Sequence, residues 1–288
     1  MMRIAALALV MLILYTTLRR PAYKCRDTSL KTTGVKLIDR GDRLGTNLLF
    51  YISTVLVAMQ HNFKVQFIKP RSEYRYATSI FVQSLFAFID EYNETAVEGS
   101  VTETSNILEK YINCTRAIQS DFVTAFRGFV HVHGFAVPFD AHKTIAVHLR
   151  LDDRKTRFVD TTTRTVLSNQ FRDVVETGSN QPQIQGQSAM KESEILRVIE
   201  RALREHEGYD VVIITNGKHT LPYRTISIDE DYDLFLLSSA KVLIGSMSCF
   251  SFVSVLFGNH SRVYYPLWDH APLWGLTTRY DKSNITFF

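Results

Sequence analysis

Short apolar runs alternate with helix-length ones along most of this chain, and that alternation limits the fold more than any other feature. Tyr209 to Thr215 (YDVVIIT) is the plainest strand. It follows Met190 to His206, where Ile195, Leu196, Val198, Ile199 and Leu203 share one face of a helix. Near the start, Val35 to Ile38, a helix over Leu48 to Gln60 and Lys64 to Ile68 make a strand–helix–strand unit. Further strands are expected at Phe129 to His133, Thr144 to Leu149, Lys241 to Ile244 and Arg262 to Tyr265. Further helices are expected at Ser79 to Tyr92, Asn106 to Arg127, Asp231 to Ser239 and Cys249 to Phe257. Thr161 to Gly178 reads as helical in its middle, and Asn93 to Ser105 and Ser179 to Gln187 read as loops. Strands that alternate with helices predict an α/β fold with largely parallel sheets and helices on their faces. The polar stretch Pro138 to Lys143 marks a boundary, giving domains at 34–140 and 141–288.

Ile4 to Leu18 is a run without charge, bounded by Arg3 and by Arg19-Arg20-Pro21. Fifteen helical residues span about 22 Å, somewhat short of a hydrocarbon core of about 30 Å. The run ends in Tyr-Thr-Thr-Leu-Arg-Arg, a poor cleavage site, so residues 1–20 read as an uncleaved single-pass anchor and 21–33 as a stem. Two signals on orientation oppose each other. Arg19, Arg20, Lys24 and Arg26 follow the run, which by the positive-inside rule would leave the globular part in the cytoplasm. Four Asn-x-Ser/Thr sequons, at Asn93, Asn113, Asn259 and Asn284, lean toward a lumen. Three cysteines, Cys25, Cys114 and Cys249, allow at most one disulfide and have no metal-ligand spacing.

Three segments carry chemistry. Ile145 to Val147 is apolar, and His148, Arg150, Asp152, Asp153, Arg154, Lys155 and Arg157 follow at once. Open α/β sheets bind ligands beyond the carboxyl ends of their strands. Arginine's planar fork suits phosphate oxygens, and carboxylates supply general bases. Gly41-Asp42-Arg43-Leu44-Gly45-Thr46-Asn47 lies between a strand and a helix, with Asn47 or Thr46 near the N-cap. Glycines there permit close backbone approach, and a helix N-terminus favours anions. Thr215, Asn216 and Lys218 end another strand, and Ser246, Ser248 and Ser251 surround a helix start able to hold a diphosphate.

Other classes are argued against. The Gly41 segment is neither a dinucleotide fingerprint nor a P-loop, and no G-x-S-x-G elbow is present. His131, His133, His142 and His148 lack a carboxylate or cysteine at ligand spacing, so no metal is expected. Asp229-Glu-Asp-Tyr-Asp233 reads as an acidic helix start. A net charge of +4 without a basic, aromatic-interleaved stripe gives no reason to expect nucleic acid.

Together these segments resemble glycosyltransferases of the fucosyltransferase superfamily. Gly41 to Leu49 is similar to that family's R-L-G-N-Q-L-F opening, and His148 to Asp153 to its H-x-R-x-G-D motif. Asp231 to Ala240 with Gly245 to Ser251 is similar to its closing S-x-S-x-F-S block. The resemblance implies two Rossmann-like domains in the GT-B arrangement, the first facing the acceptor and the second holding the nucleotide sugar. It implies that Arg150, with Arg154, contacts the donor's diphosphate, and that His148, Asn216, Ser246, Ser248 and Ser251 line the donor site. Gly41, Arg43, Gly45 and Asn47 would form the turn at the helix N-terminus. It also implies inversion without a metal or other cofactor, with a carboxylate taking the acceptor hydroxyl's proton. Asp153 or Asp42 is the expected base, ahead of Glu73 and Asp160. Thr46-Asn47 and Asp152 depart from the family pattern, so the donor is fucose or another sugar such as xylose, as in a related virus-encoded or membrane-anchored transferase. The expected partners are a nucleotide sugar, a glycan acceptor and, through residues 4–18, a membrane of the ER, Golgi or a host. A membrane-tethered, non-catalytic carbohydrate-binding protein on the same fold is the other reading.

Overall fold

A computed structural model describes residues 34–39, 43–61, 63–90, 101–103, 126, 135–151, 158–160, 165–166, 174–175, 183–184, 189–215, 217–266 and 284–288. The protein is mixed α/β with parallel sheets. It divides into two compact units, one of residues 1–39, 50–77 and 83–132 and one of 40–49, 78–82 and 133–288. The anchor at 4–18, the stem, the strand expected at Phe129 to His133 and, apart from Phe126, the helix expected at Asn106 to Arg127 lie outside the described residues. Among the described residues no helix is long and apolar enough to cross a membrane.

In the first unit, β1 (Gly34–Leu37) lies between β2 (Lys64–Phe67) and β3 (Val101–Glu103), parallel to both. β3 falls in a stretch expected to be loop. Val101 and Thr102 are β-branched and suit a strand, but one apolar residue within a polar stretch leaves no alternation to read. Helix α1 (Leu44–His61), of which 44–49 fall in the second unit, is apolar nearly all round, and Leu48, Tyr51, Ile52, Val55 and Ala58 are buried. Helix α2 (Ile80–Asp90), of which 80–82 fall in the second unit, buries Phe81, Val82, Leu85, Phe86 and Ile89 and exposes Gln83 and Ala87, four apart on one stripe. Phe67, Tyr74, Tyr51 and Phe86 interlock, with ring centroids 5.1 to 5.9 Å apart.

The second unit is built on β4 (Thr144–His148), all five residues of which are buried. Between Leu151 and helix α3 (Glu192–Glu205) the described residues form short strands. β5 (Phe158–Asp160) pairs with β6 (Thr165–Val166) and β9 (Ala189–Met190), and β7 (Val174–Val175) pairs with β8 (Gln183–Ile184). The helix expected within Thr161 to Gly178 is therefore strand at 165–166 and 174–175, where β-branched Thr165, Val166, Val174 and Val175 favour extended backbone.

After α3 come β10 (Asp210–Ile214), β11 (Arg224–Ile226), helix α4 (Glu230–Ser239), β12 (Val242–Ile244), helix α5 (Cys249–Phe257), β13 (Arg262–Tyr265) and β14 (Ile285–Phe287). The main sheet runs β11-β10-β4-β12-β13-β14, every neighbouring pair parallel. In chain order that is the 3-2-1-4-5-6 arrangement of a doubly wound sheet, and it is compatible with a Rossmann-like fold. Right-handed crossovers put α3 on one face of such a sheet and α4 and α5 on the other. α4 and α5 do pack on each other, and α4 lies against β4. α3 turns Ile195, Val198, Ile199 and Ala202 inward at helical spacing.

Candidate functional site

A doubly wound sheet opens a crevice where its strand order reverses, because successive loops there leave in opposite directions. In the second unit that place is the carboxyl end of β4 and β12. β4 ends at His148, followed by Leu149 and Arg150. β12 is followed by Gly245-Ser246-Met247-Ser248 and then α5. Two of the three segments singled out in the sequence thus meet at one edge.

Their contacts form a closed polar group. His148 Nδ1 lies 2.5 Å from Ser251 Oγ and 2.9 Å from Ser246 Oγ, and the two hydroxyls are 3.2 Å apart. The Ser246 N–H donates to Ser251 Oγ at 2.9 Å. His148, Ser246 and Ser251 are all buried, Ser251 completely. Buried hydroxyls need partners, and here they supply them to one another while tying the loop after β12 to the end of β4. With no exposed surface, Ser251 is not placed to act as a nucleophile despite its histidine neighbour.

Arg150 and Ser248 stand differently. Ser248 is the N-cap of α5, its Oγ accepting from the Phe250 N–H at 3.2 Å. Arg150 Nη1 donates to the same oxygen at 3.3 Å, and Arg150 is partly exposed. The guanidinium therefore stands beside the amino end of a helix, and the two together suit an anion. Tyr265 OH donates to the Ser248 carbonyl at 3.3 Å and fixes the cap from β13.

The third segment enters from α1. The helix begins at Leu44, four residues before its apolar run, so Gly45 and Asn47 are helical rather than part of a turn. Asn47 is not the N-cap. Its N–H and its Nδ2 both donate to the Arg43 carbonyl, at 3.0 and 3.3 Å, which puts Arg43 in the capping position. Glycine weakens a helix interior by about 1 kcal/mol, but at Gly45 a Cβ would lie 2.6 Å from Phe250 N and 2.7 Å from its Cα. The first turn of α1 thus packs directly on the first turn of α5, and only glycine permits it. Gly41, Asp42, Asp153, Arg154 and Asn216 lie outside the described residues.

In the first unit the structure reveals a carboxylate that motif reading overlooked. Asp39, two residues past β1, accepts from Lys69 Nζ at 2.6 Å, Tyr51 OH at 2.8 Å and the Arg75 N–H at 3.1 Å. Burial pushes its pKa up, but the Lys69, Tyr51 and Arg75 hydrogen bonds and the Lys69 charge outweigh that and hold it below the ordinary carboxylate value. So engaged, Asp39 is a poor base and a good anchor for the loop after β2. Tyr74 pins the same loop by donating to the Leu37 carbonyl and accepting from the Ile68 N–H. Asp39 stands just outside the glycine-containing segment that the sequence singled out, and no motif marks it. Of the secondary base candidates, Glu73 is exposed at the end of a single 3-10 turn, Arg71–Glu73, and Asp160 closes β5.

The acidic start of α4 is used locally. Asp229 caps α4 by accepting from the Tyr232 N–H, and Asp233 accepts from Ser227 Oγ and the Ile228 N–H. Asp231 accepts from Ser79 Oγ and the Ile80 N–H at the start of α2. Burial pushes Asp231 and Asp233 up. Among the described residues no group of three or more His, Cys, Asp or Glu side chains could hold a metal ion. Compared with family models, curated proteins and solved structures, the chain matches none.

Proposed function

We propose that this protein is a membrane-anchored, inverting glycosyltransferase of GT-B type that works without a metal. The single observation behind the reading is the meeting of Arg150 with the Ser248-capped start of α5 at the strand-order reversal of a parallel sheet. A leaving nucleoside diphosphate carries charge that a guanidinium, a serine hydroxyl and a helix N-terminus stabilise together. In this reading Arg150 and the first turn of α5 hold the diphosphate, and His148, Ser246 and Ser251 position them. Arg154 and Asn216 add to the donor site, and Asp153 or Asp42 removes the acceptor hydroxyl's proton. The anchor at 4–18 leaves the catalytic part in the lumen of the secretory pathway. The sugar is fucose or another such as xylose.

Titration of the full chain with UDP, GDP and CMP in a thermal unfolding assay is the first test, because a ligand that binds only the folded state raises the midpoint. One diphosphate should do so, with EDTA present. Arg150→Ala should abolish that protection and lower transfer on the order of 10²-fold, the scale of one lost transition-state donor. Protection that survives in Arg150→Ala would remove the site assignment. Glycan binding with no nucleotide response would favour the non-catalytic carbohydrate-binding reading.

A further inference from the structure

Two sequons lie among the described residues, and the structure treats them differently. Asn259 is exposed in the short loop between α5 and β13, at the amino edge of the parallel sheet, opposite the edge that carries Arg150 and Ser248. The backbone around it is pinned. The Asn259 carbonyl accepts from Lys241 Nζ at 3.2 Å, and the Ser261 N–H and Oγ both donate to the Lys241 carbonyl, at 2.8 and 3.0 Å. His260, between them, points inward and is buried. The loop therefore presents the Asn259 side chain to solvent from a fixed base. Asn284 is half-buried beside β14, and its Nδ2, the atom that glycosylation modifies, donates to the His260 carbonyl at 2.9 Å. A glycan there would crowd the edge where β14 joins β13.

We infer that Asn259 carries an N-linked glycan and that Asn284 does not. The inference rests on the lumenal placement proposed above. The donor is a lipid-linked diphospho-oligosaccharide. The Asn259 Nδ2–C1 bond forms as the sugar's C1–O bond to the lipid diphosphate breaks. The amide loses one proton and the lipid diphosphate leaves. The glycan sits away from the diphosphate site, so it shields the amino edge of the sheet without blocking substrate.

The full chain expressed in cells with a secretory pathway, digested with peptide-N-glycosidase in heavy-oxygen water and mapped by peptide mass, tests this. The Asn259 peptide should convert to labelled aspartate and the Asn284 peptide should not. Asn259→Gln and Ser261→Ala should each remove one glycan-sized step in gel mobility. Glycan at Asn93 or Asn113 with none at Asn259 would leave the compartment standing and overturn the site. A glycan at Asn284 would overturn the structural distinction. No glycan at any of the four sequons would overturn both the placement and the site, while leaving the nucleotide test independent.

Discussion

Asp39 shows how a single carboxylate can hold a loop in place. Its carboxylate takes three donors, from Lys69, Tyr51 and the Arg75 backbone, with only 9% of its side chain exposed. Asp39→Asn would set an amide's own N–H groups against some of those donors. The cost expected at pH 7 is about 2 kcal/mol, that of leaving a buried polar group badly paired. The pH dependence follows from the lowered pKa. A carboxyl depressed in the folded state contributes stability that is full above its unfolded value, near pH 4, and is lost as pH falls through the folded value. Urea unfolding of both proteins from pH 7 to 2 should therefore show a gap that closes below about pH 4. A gap that stays constant would mean that the asparagine costs packing rather than charge. The same residue shows a limit of motif reading. Asp39 belongs to no pattern, and its importance comes from Lys69 and Arg75, brought to it by the β1–β2 pairing.

Among the elements, α4 and α5 are joined through His260. Its Nδ1 lies 2.7 Å from the carbonyl of Ala240, the C-cap of α4, and its Nε2 lies 3.0 Å from the carbonyl of Ser254 near the end of α5. Carbonyls only accept, so the ring donates to at least one of them, and which one depends on the tautomer. Gly258 makes room for the ring, since a Cβ there would fall on it. His260→Ala should cost about 2 kcal/mol, from the lost hydrogen bonding and the space the ring leaves. His260→Gln, which keeps a donor, should recover part of that loss. Equal denaturation midpoints for wild type and His260→Ala would refute the bridge. Elements of this kind were legible where their apolar period was strong, as in α3, β10 and β13. The start of α1 was not, because Gly45 and Asn47 look like a turn until Phe250 is seen packed against the glycine. β3 was not legible either, because three residues with one apolar side chain are too short to show a period.

At the scale of the whole molecule, the alternation of strand and helix was sufficient for the α/β class and parallel pairing, but not for the strand order. The order depends on the edge strands β11 and β14, which were not expected. Both are three residues long, too short to show a period, and β11 is mostly exposed while β14 is half-buried. β14 nonetheless covers β13, whose Val263, Tyr264 and Tyr265 are buried. Its removal would leave β13 as a new edge with apolar side chains and unpaired backbone, the kind of strand that pairs with another chain. It would also remove the Asn284 bond to the His260 carbonyl. A chain ending at residue 283 should thus unfold roughly 5 °C lower, the shift that about 2 kcal/mol produces in a unit of this size. It should also self-associate in a concentration-dependent way, measured by light scattering. If the shortened chain remains monomeric and melts with the full one, β14 is only an appendage and the sheet effectively ends at β13. If the midpoint falls and association appears, the sixth strand closes the sheet that holds Arg150 and Ser248 in register.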